Sequence, residues 1–163
     1  MTEVSIIVPC CNEQEVLPLF YNEIVRVCLD NQISYELIFV NDGSSDHTLE
    51  QLRTLSNQDK NVIYLSFSRN FGKEAAMFAG FCNASGNYVA VMDADLQDPP
   101  SLLPEMLKIL GNGEYDSVAT RRVTRTGEPP IRSWFAKCFY QLINKISDAD
   151  IVDGARDFRL MRK

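Results

Sequence analysis

Two hydrophobic patterns alternate along the chain. Short apolar, β-branched runs occur at residues 4–9 (VSIIVP), 35–41 (YELIFVN), 62–67 (VIYLSF), 88–92 (YVAVM) and 117–120 (SVAT). Continuous runs of this length suit strands buried on both faces of a parallel sheet. Between them, apolar residues recur at helical spacing. Residues 15–31 place Val16, Leu19, Phe20, Ile24, Val27 and Cys28 on one stripe, with Asn12 as the expected N-cap. Residues 45–56 follow with a Ser45 cap and Asp46 in the first turn, where the helix dipole favours an anion. Residues 73–84 form a small-residue helix with Gly86 as its C′ residue. Residues 102–110 follow Pro99-Pro100 and stop before Gly111, and residues 131–146 follow Pro129-Pro130. The polar stretch 123–130 reads as a loop. The order β-α-β-α-β-α-β-α-β-α predicts an α/β fold: a three-layer α/β/α sandwich with a mainly parallel, Rossmann-like sheet and right-handed crossovers.

Ligands of such sheets bind at the carboxyl ends of the strands. Each run here ends in polar residues: Pro9-Cys10-Cys11-Asn12-Glu13, then Asn41-Asp42-Gly43, then Ser68-Arg69-Asn70-Phe71-Gly72-Lys73, then Asp93-Ala94-Asp95-Leu96-Gln97, then Arg121-Arg122. Asp93 and Asp95, two residues apart as they leave a strand, point the same way and could share Mg²⁺ or Mn²⁺, with Gln97 continuing the spacing. With 12 Asp in the chain, Asp-x-Asp arises by chance about once, and Asp148-Ala149-Asp150 repeats it after a helix, in what reads as a solvated turn. Position at a strand end therefore carries the assignment. Asp42 either accepts from a nucleotide or is the turn residue of an Asp-Gly pair. Lys73 either neutralises phosphate or is a solvated first-turn lysine. His47, the sole histidine, reads as a surface residue, which leaves His-based acid–base chemistry without a candidate.

Composition narrows the classes. The 163 residues, 45% apolar and 23% charged, fit one globular domain spanning 1–163 and exclude a disordered or fibrous chain. No run of about 18 apolar residues exists to span a membrane, and the first residues do not read as a signal peptide. The five cysteines have no metal-ligand spacing and read as reduced thiols, mostly in the core. The net charge of −6 combines −11 over residues 1–120 with +5 over 121–163. An acidic body argues against nucleic-acid binding. Neither G-x-G-x-x-G nor G-x-x-x-x-G-K-[ST] occurs, which disfavours dinucleotide oxidoreductases and P-loop NTPases. A phospho-acceptor receiver domain would need Ser68 or Asn70 as its third-strand acceptor, a poor fit.

Five ordered stretches, VPCCNEQEVLP (8–18), FVNDGSSDHT (39–48), SRNFGKEAAMFAG (68–80), MDADLQDPP (92–100) and DFRLMRK (157–163), resemble the catalytic domain of family 2 glycosyltransferases of the GT-A fold. Within that family the chain is most similar to the polyprenyl-phosphate group, which includes dolichol-phosphate mannose synthases and bactoprenol glucosyltransferases. The resemblance implies a nucleotide-diphosphate sugar donor, UDP-glucose-like or GDP-mannose. It also implies a polyprenyl-phosphate acceptor, a divalent metal, inversion at the sugar carbon and the cytoplasmic face of a bacterial inner membrane. Pro9, Asn12, Glu13 and Asp42 would line base and ribose. Lys73, Asp93 and Arg121 would complete the donor site, and Asp93, Asp95 and Gln97 would hold the metal. Arg122 and Arg132 would meet phosphates, and Asp157 is the candidate catalytic carboxylate. Members of this group continue into amphipathic and transmembrane helices, so the resemblance implies a truncated chain. Its basic end (Arg156, Arg159, Arg162, Lys163) would then approach an anionic membrane surface or be a charged surface strand. A noncatalytic nucleotide-binding, membrane-associated module and a transferase acting on a polysaccharide are the rival readings. Homo-oligomerisation stays open.

Overall fold

The structure, a computed structural model, describes residues 2–121 and 155–163. The expected loop 123–130, the helix 131–146, the Asp148–Asp150 turn, Cys138, Arg122 and Arg132 lie outside the described residues. The chain divides into two compact units, residues 1–118 with 157–163, and residues 119–156. The site described below belongs to the first.

The elements are β1 (Val4–Cys10), α1 (Leu17–Asp30), β2 (Tyr35–Asn41), α2 (Thr48–Gln58), β3 (Val62–Ser66), α3 (Lys73–Asn83), β4 (Tyr88–Val91), a 3₁₀ turn (Pro100–Leu102), α4 (Leu103–Gly111), β5 (Ser117–Arg121) and β6 (Ala155–Arg162). They form a six-stranded sheet in the order β3-β2-β1-β4-β6-β5. The first four strands are parallel, and β6 runs antiparallel to β4.

Side chains alternate between two buried layers. Val4, Ile6, Val8, Leu37 and Phe39 face α1, α2 and α4. Ile7, Ile38, Val40, Val89 and Val91 face α3. This is the expected three-layer sandwich. α1 forms because Leu17, Phe20, Ile24, Val27 and Cys28 recur at helical spacing, and that stripe is the one buried. Phe20 meets Phe39 edge-on, with ring centroids 6.2 Å apart. The central strands β1 and β2 are almost wholly buried, whereas the outer strands are more exposed: β3 buries only Val62, and β5 alternates between exposed and half-buried.

The structure corrects several local expectations. α1 starts at Leu17 with Pro18 in its first turn, and Asn12 does not cap it. α2 starts at Thr48, and Asp46 precedes it, accepting the Thr48 N–H at 3.0 Å. Gly86 does not terminate α3. A Cβ there would sit 2.7 Å from the Ser5 nitrogen, so glycine is required by the close approach of two backbones. Gly111 is the last residue of α4.

The largest correction concerns the basic end. It is a strand, as the second of the two readings had it, but an inner one: β6 lies between β4 and β5, with Phe158 and Leu160 fully buried and Arg159, Arg162 and Lys163 exposed. The Arg162 guanidinium donates to the Leu110 carbonyl at 2.6 Å, and the Lys163 ammonium donates to the Ala84 carbonyl at 2.6 Å. Two of its cations thus serve carbonyls at the carboxyl ends of α4 and α3, where the helix dipole is negative. Among the described residues, no helix is long and apolar enough to cross a membrane.

Candidate active site

The parallel register brings the strand ends together. Cys10 of β1 stands opposite Asn41 of β2, and Ile7 opposite Val91 of β4. Residues 9–13, 42 and 93–95 therefore emerge side by side. They enclose a cavity of about 360 Å³ lined by Pro9, Cys10, Cys11, Glu13, Asp42, Asn70, Gly72, Lys73, Asp93, Ala94 and Asp95. Six of the ten described site residues named from the sequence, Pro9, Glu13, Asp42, Lys73, Asp93 and Asp95, line it.

Asp42 is only 4% exposed. Its two carboxylate oxygens accept the backbone N–H groups of Phe71 at 2.7 Å and Gly72 at 3.0 Å. The neighbouring Gly43 has φ +64°, and a Cβ there would lie 2.3 Å from the Arg69 carbonyl carbon. The Asp-Gly pair thus does more than turn the chain. Gly43 lets the loop after β3 pass against the loop after β2, and Asp42 ties the two. A carboxylate has about four acceptor positions, so Asp42 retains capacity for a ligand.

Asn12, with φ 59°, is a bracket outside the cavity lining. Its Oδ1 accepts the Ser45 N–H at 2.8 Å, and its own N–H donates to Ser44 Oγ at 3.0 Å. Glu13 is held next to it by its N–H, which donates to Thr48 Oγ1 at 2.9 Å. Burial, and then the charges of Asp95, Asp93 and Asp46, push the Glu13 carboxyl above its ordinary pKa.

Lys73, the first residue of α3, reaches across the cavity. Its Nζ lies 2.6 Å from Asp93 Oδ1 and 2.5 Å from Asp157 Oδ2. Burial pulls its pKa down, but hydrogen bonds to Asp157 and Asp93 outweigh that and raise it, so it is a firm cation at neutral pH. Asp157, at the start of β6, is exposed and joins the site through this lysine.

The carboxylates suit a hard divalent cation. Asp93 and Asp95 flank one cavity, and among the described residues no group of three acids, His or Cys converges on a point. Mg²⁺ and Mn²⁺ in phosphate-transfer sites take one or two carboxylates and complete their shell with phosphate oxygens and water, a requirement this pair meets. Gln97 is exposed and outside the lining, and its N–H donates to Asp95 Oδ1 at 3.0 Å. Arg121 closes β5 in the second unit.

Five lining residues received no role from the sequence: Cys10, Cys11, Asn70, Gly72 and Ala94. Cys10 is buried, which pushes its thiol pKa up and marks it as a packing residue. Cys11 is exposed and accepts from the Asn70 amide at 3.3 Å. Of the four described cysteines two are exposed, so the expectation of mostly core thiols holds only for Cys10 and Cys28. His47 is at the surface as expected, 3.0 Å from Glu50.

The family model "Glycosyl transferase family 2" matches residues 5–163. The chain is 43% identical over 160 residues to a glycosyltransferase of Bacillus subtilis (strain 168), CsbB, covering 98% of this chain and 48% of that protein. It is 39% identical over 161 residues to the bactoprenol glucosyl transferase of Shigella phage SfV, covering 99% and 52%. It thus spans about half the length of these relatives. The structure of a mannosyltransferase from Pyrobaculum calidifontis in complex with GDP-Man and Mn²⁺ superposes with a TM-score of 0.69 at 20% identity, over 98% of this chain and 44% of that one. The sandwich is accordingly the GT-A fold. With the family model and these relatives agreeing over nearly its whole length, the chain belongs to glycosyl transferase family 2.

Proposed function

We propose that this chain carries the donor site of an enzyme that transfers a hexose from a nucleoside-diphosphate sugar to a polyprenyl phosphate, with inversion at the sugar carbon. The observation that carries this reading is the strand-end cavity in which Asp93 and Asp95 stand beside Lys73. The likeness to bactoprenol glucosyl transferases supports the acceptor class.

Each group has a task in this reading. Pro9, Glu13 and Asp42 wall the base and ribose, with Asn12 bracing their loop. Lys73 offers its ammonium to the diphosphate, and Asp93 and Asp95 hold Mg²⁺ or Mn²⁺. That cation, when bound, stabilises the negative charge that builds on the departing diphosphate. Arg121, Arg122 and Arg132 are assigned to phosphates, for which guanidinium groups are suited by their bidentate geometry. The attacking group is a phosphate monoester with a second pKa of about 6, so at pH 7 it is mostly ionised already. A strong general base is unnecessary, and Asp157, held by Lys73, orients the site. A lipid acceptor places the reaction at a membrane surface, in this reading the cytoplasmic face of a bacterial inner membrane.

Calorimetric titration with UDP, UDP-glucose and GDP-mannose, with and without Mn²⁺, tests this on wild type and Asp93→Ala. The expected result is nucleotide binding that needs Mn²⁺ and is lost in the variant. The nucleotide that binds identifies the base. Binding indifferent to both Mn²⁺ and Asp93 would overturn the metal assignment, and absence of all nucleotide binding would overturn the donor site.

A further inference from the structure

Among the described residues, Lys73 is the one basic residue lining the cavity, and its ammonium holds two carboxylates, one of them Asp93. We infer that Lys73 is a resident counter-ion that holds Asp93 until a donor diphosphate arrives, so that divalent-cation binding depends on the donor. The inference rests on the metal-dependent reading above and deepens it.

The contact is close and partly sheltered. Nζ is 2.6 Å from Asp93 Oδ1, and both side chains are about one-third exposed, 35% and 34%. The base of the lysine is fixed. It follows Gly72, whose N–H is tied to Asp42, and it opens α3, which packs on the sheet through Ala76. Its flexible four-carbon stem lets the head group change partners while the backbone stays in place.

With no diphosphate present, Lys73 must give up Asp93 for a divalent cation to bind there. The ammonium would then keep Asp157 alone and face a new like charge. Both effects oppose metal binding. A diphosphate changes the balance, because its oxygens accept the Lys73 N–H groups that Asp93 releases. Lys73 then loses no partner, and the cation gains phosphate ligands. By linkage, diphosphate and cation must raise each other's affinity by the same factor. Lys73 supplies part of that factor by penalising the cation only when it comes alone. An acidic pocket is thereby kept from collecting stray cations, and its charge is kept balanced between turnovers.

The test is Mn²⁺ binding followed by the electron paramagnetic resonance of free Mn²⁺, with and without saturating UDP. It compares wild type, Lys73→Met, Lys73→Gln and the charge-conserving Lys73→Arg, with circular dichroism to confirm folding. Wild type is expected to bind Mn²⁺ at least about tenfold more weakly alone than with UDP. In Lys73→Met and Lys73→Gln, Mn²⁺ alone should bind about tenfold more tightly and the effect of UDP should shrink. Lys73→Arg should resemble wild type. Unchanged or weaker binding of Mn²⁺ alone in the neutral variants would overturn the role of Lys73 while leaving the metal site standing. Independent binding of Mn²⁺ and UDP to wild type would overturn it without any variant. No Mn²⁺ binding to wild type even with UDP would remove the metal reading and this inference together.

Discussion

Glu36 and the acidic group of Glu13, Asp93 and Asp95 occupy opposite ends of the same parallel strands. Glu36, near the amino end of β2, is 8% exposed. Its Oε1 accepts from Ser5 Oγ at 2.5 Å, Ser85 N–H at 2.6 Å and Ser85 Oγ at 2.9 Å. Burial alone would raise its pKa, but these donors and the Gly86 N–H hold it below the ordinary value. At the carboxyl end the balance is reversed. Four acids line a cavity with, among the described residues, a single ammonium, and Glu13 is pushed up by burial and by its neighbours. Asp42, also at the carboxyl end, is buried like Glu36 but accepts one backbone N–H on each oxygen and keeps acceptor positions for a ligand. Burial and position therefore do not separate a structural acid from a functional one, but the supply of donors does. A buried carboxylate with a full set of donors is a fastener. In the proposed reading, carboxylates left short of donors are held ready for a ligand, at a cost in stability.

Removing an acid from each end should give opposite results, and the widest effect is expected at Asp95. Asp95→Ala should reduce sugar transfer by about 10³-fold, the scale of losing one electrostatic stabiliser of a leaving group. Its melting temperature should stay level or rise, because a repulsive charge is gone. Transfer assays beside thermal denaturation check both halves. A large drop in melting temperature would make Asp95 a fastener and break the comparison.

Glu36→Gln should do the reverse. The amide oxygen can take the place of Oε1 and still accept from Ser5 and Ser85, but without the charge, so stability should fall by about 1 kcal/mol, the difference between hydrogen bonds to a charged and to a neutral acceptor. Mn²⁺ and UDP binding should be unchanged in the folded fraction. The loss should depend on pH. The folded pKa lies below the ordinary 4.5, so the stabilisation is complete above about 4.5 and lost as pH falls through the lower folded value. Denaturant unfolding at pH 7 and below pH 4 should show the gap between wild type and variant closing in acid.

Glu36 also shows where sequence stops being informative. In YELIFVN a lone Glu reads as an ordinary polar position, because its donors come from residues 5 and 85, far away along the chain. The sandwich was legible because the buried runs and the α1 stripe carry their periodicity locally. Asp93 and Asp95 were legible because parallel sheets put ligands at strand ends. β6 was not, because a strand inserted antiparallel between β4 and β5 breaks the βα alternation that predicted the rest. Asn12 was misread because its partners, too, lie far away along the chain. A polar residue before an apolar stripe looks like a cap, yet its partners are Ser44 and Ser45 on another loop. Lys73 stayed undecided until the fold brought Asp93 and Asp157 to it.

The smallest effect sharpens the comparison most, because its sign is unusual. A carboxyl whose folded pKa is raised disfavours the folded state once ionised. Glu13 is such a group, so its ionisation costs stability as pH rises from the ordinary 4.5 through the folded value. Glu13→Gln should therefore stabilise the protein above that window and have no charge-related effect below pH 4. The gain should be under about 1 kcal/mol, because Glu13 is only half-buried and solvent screens it. Paired denaturant unfolding at pH 7 and pH 4 resolves this if the variant gains stability at the first and not at the second. A loss at both would mean that the Glu13 carboxylate is a fastener after all, and that the acidic end of the sheet is held together by its charges as firmly as the Glu36 end.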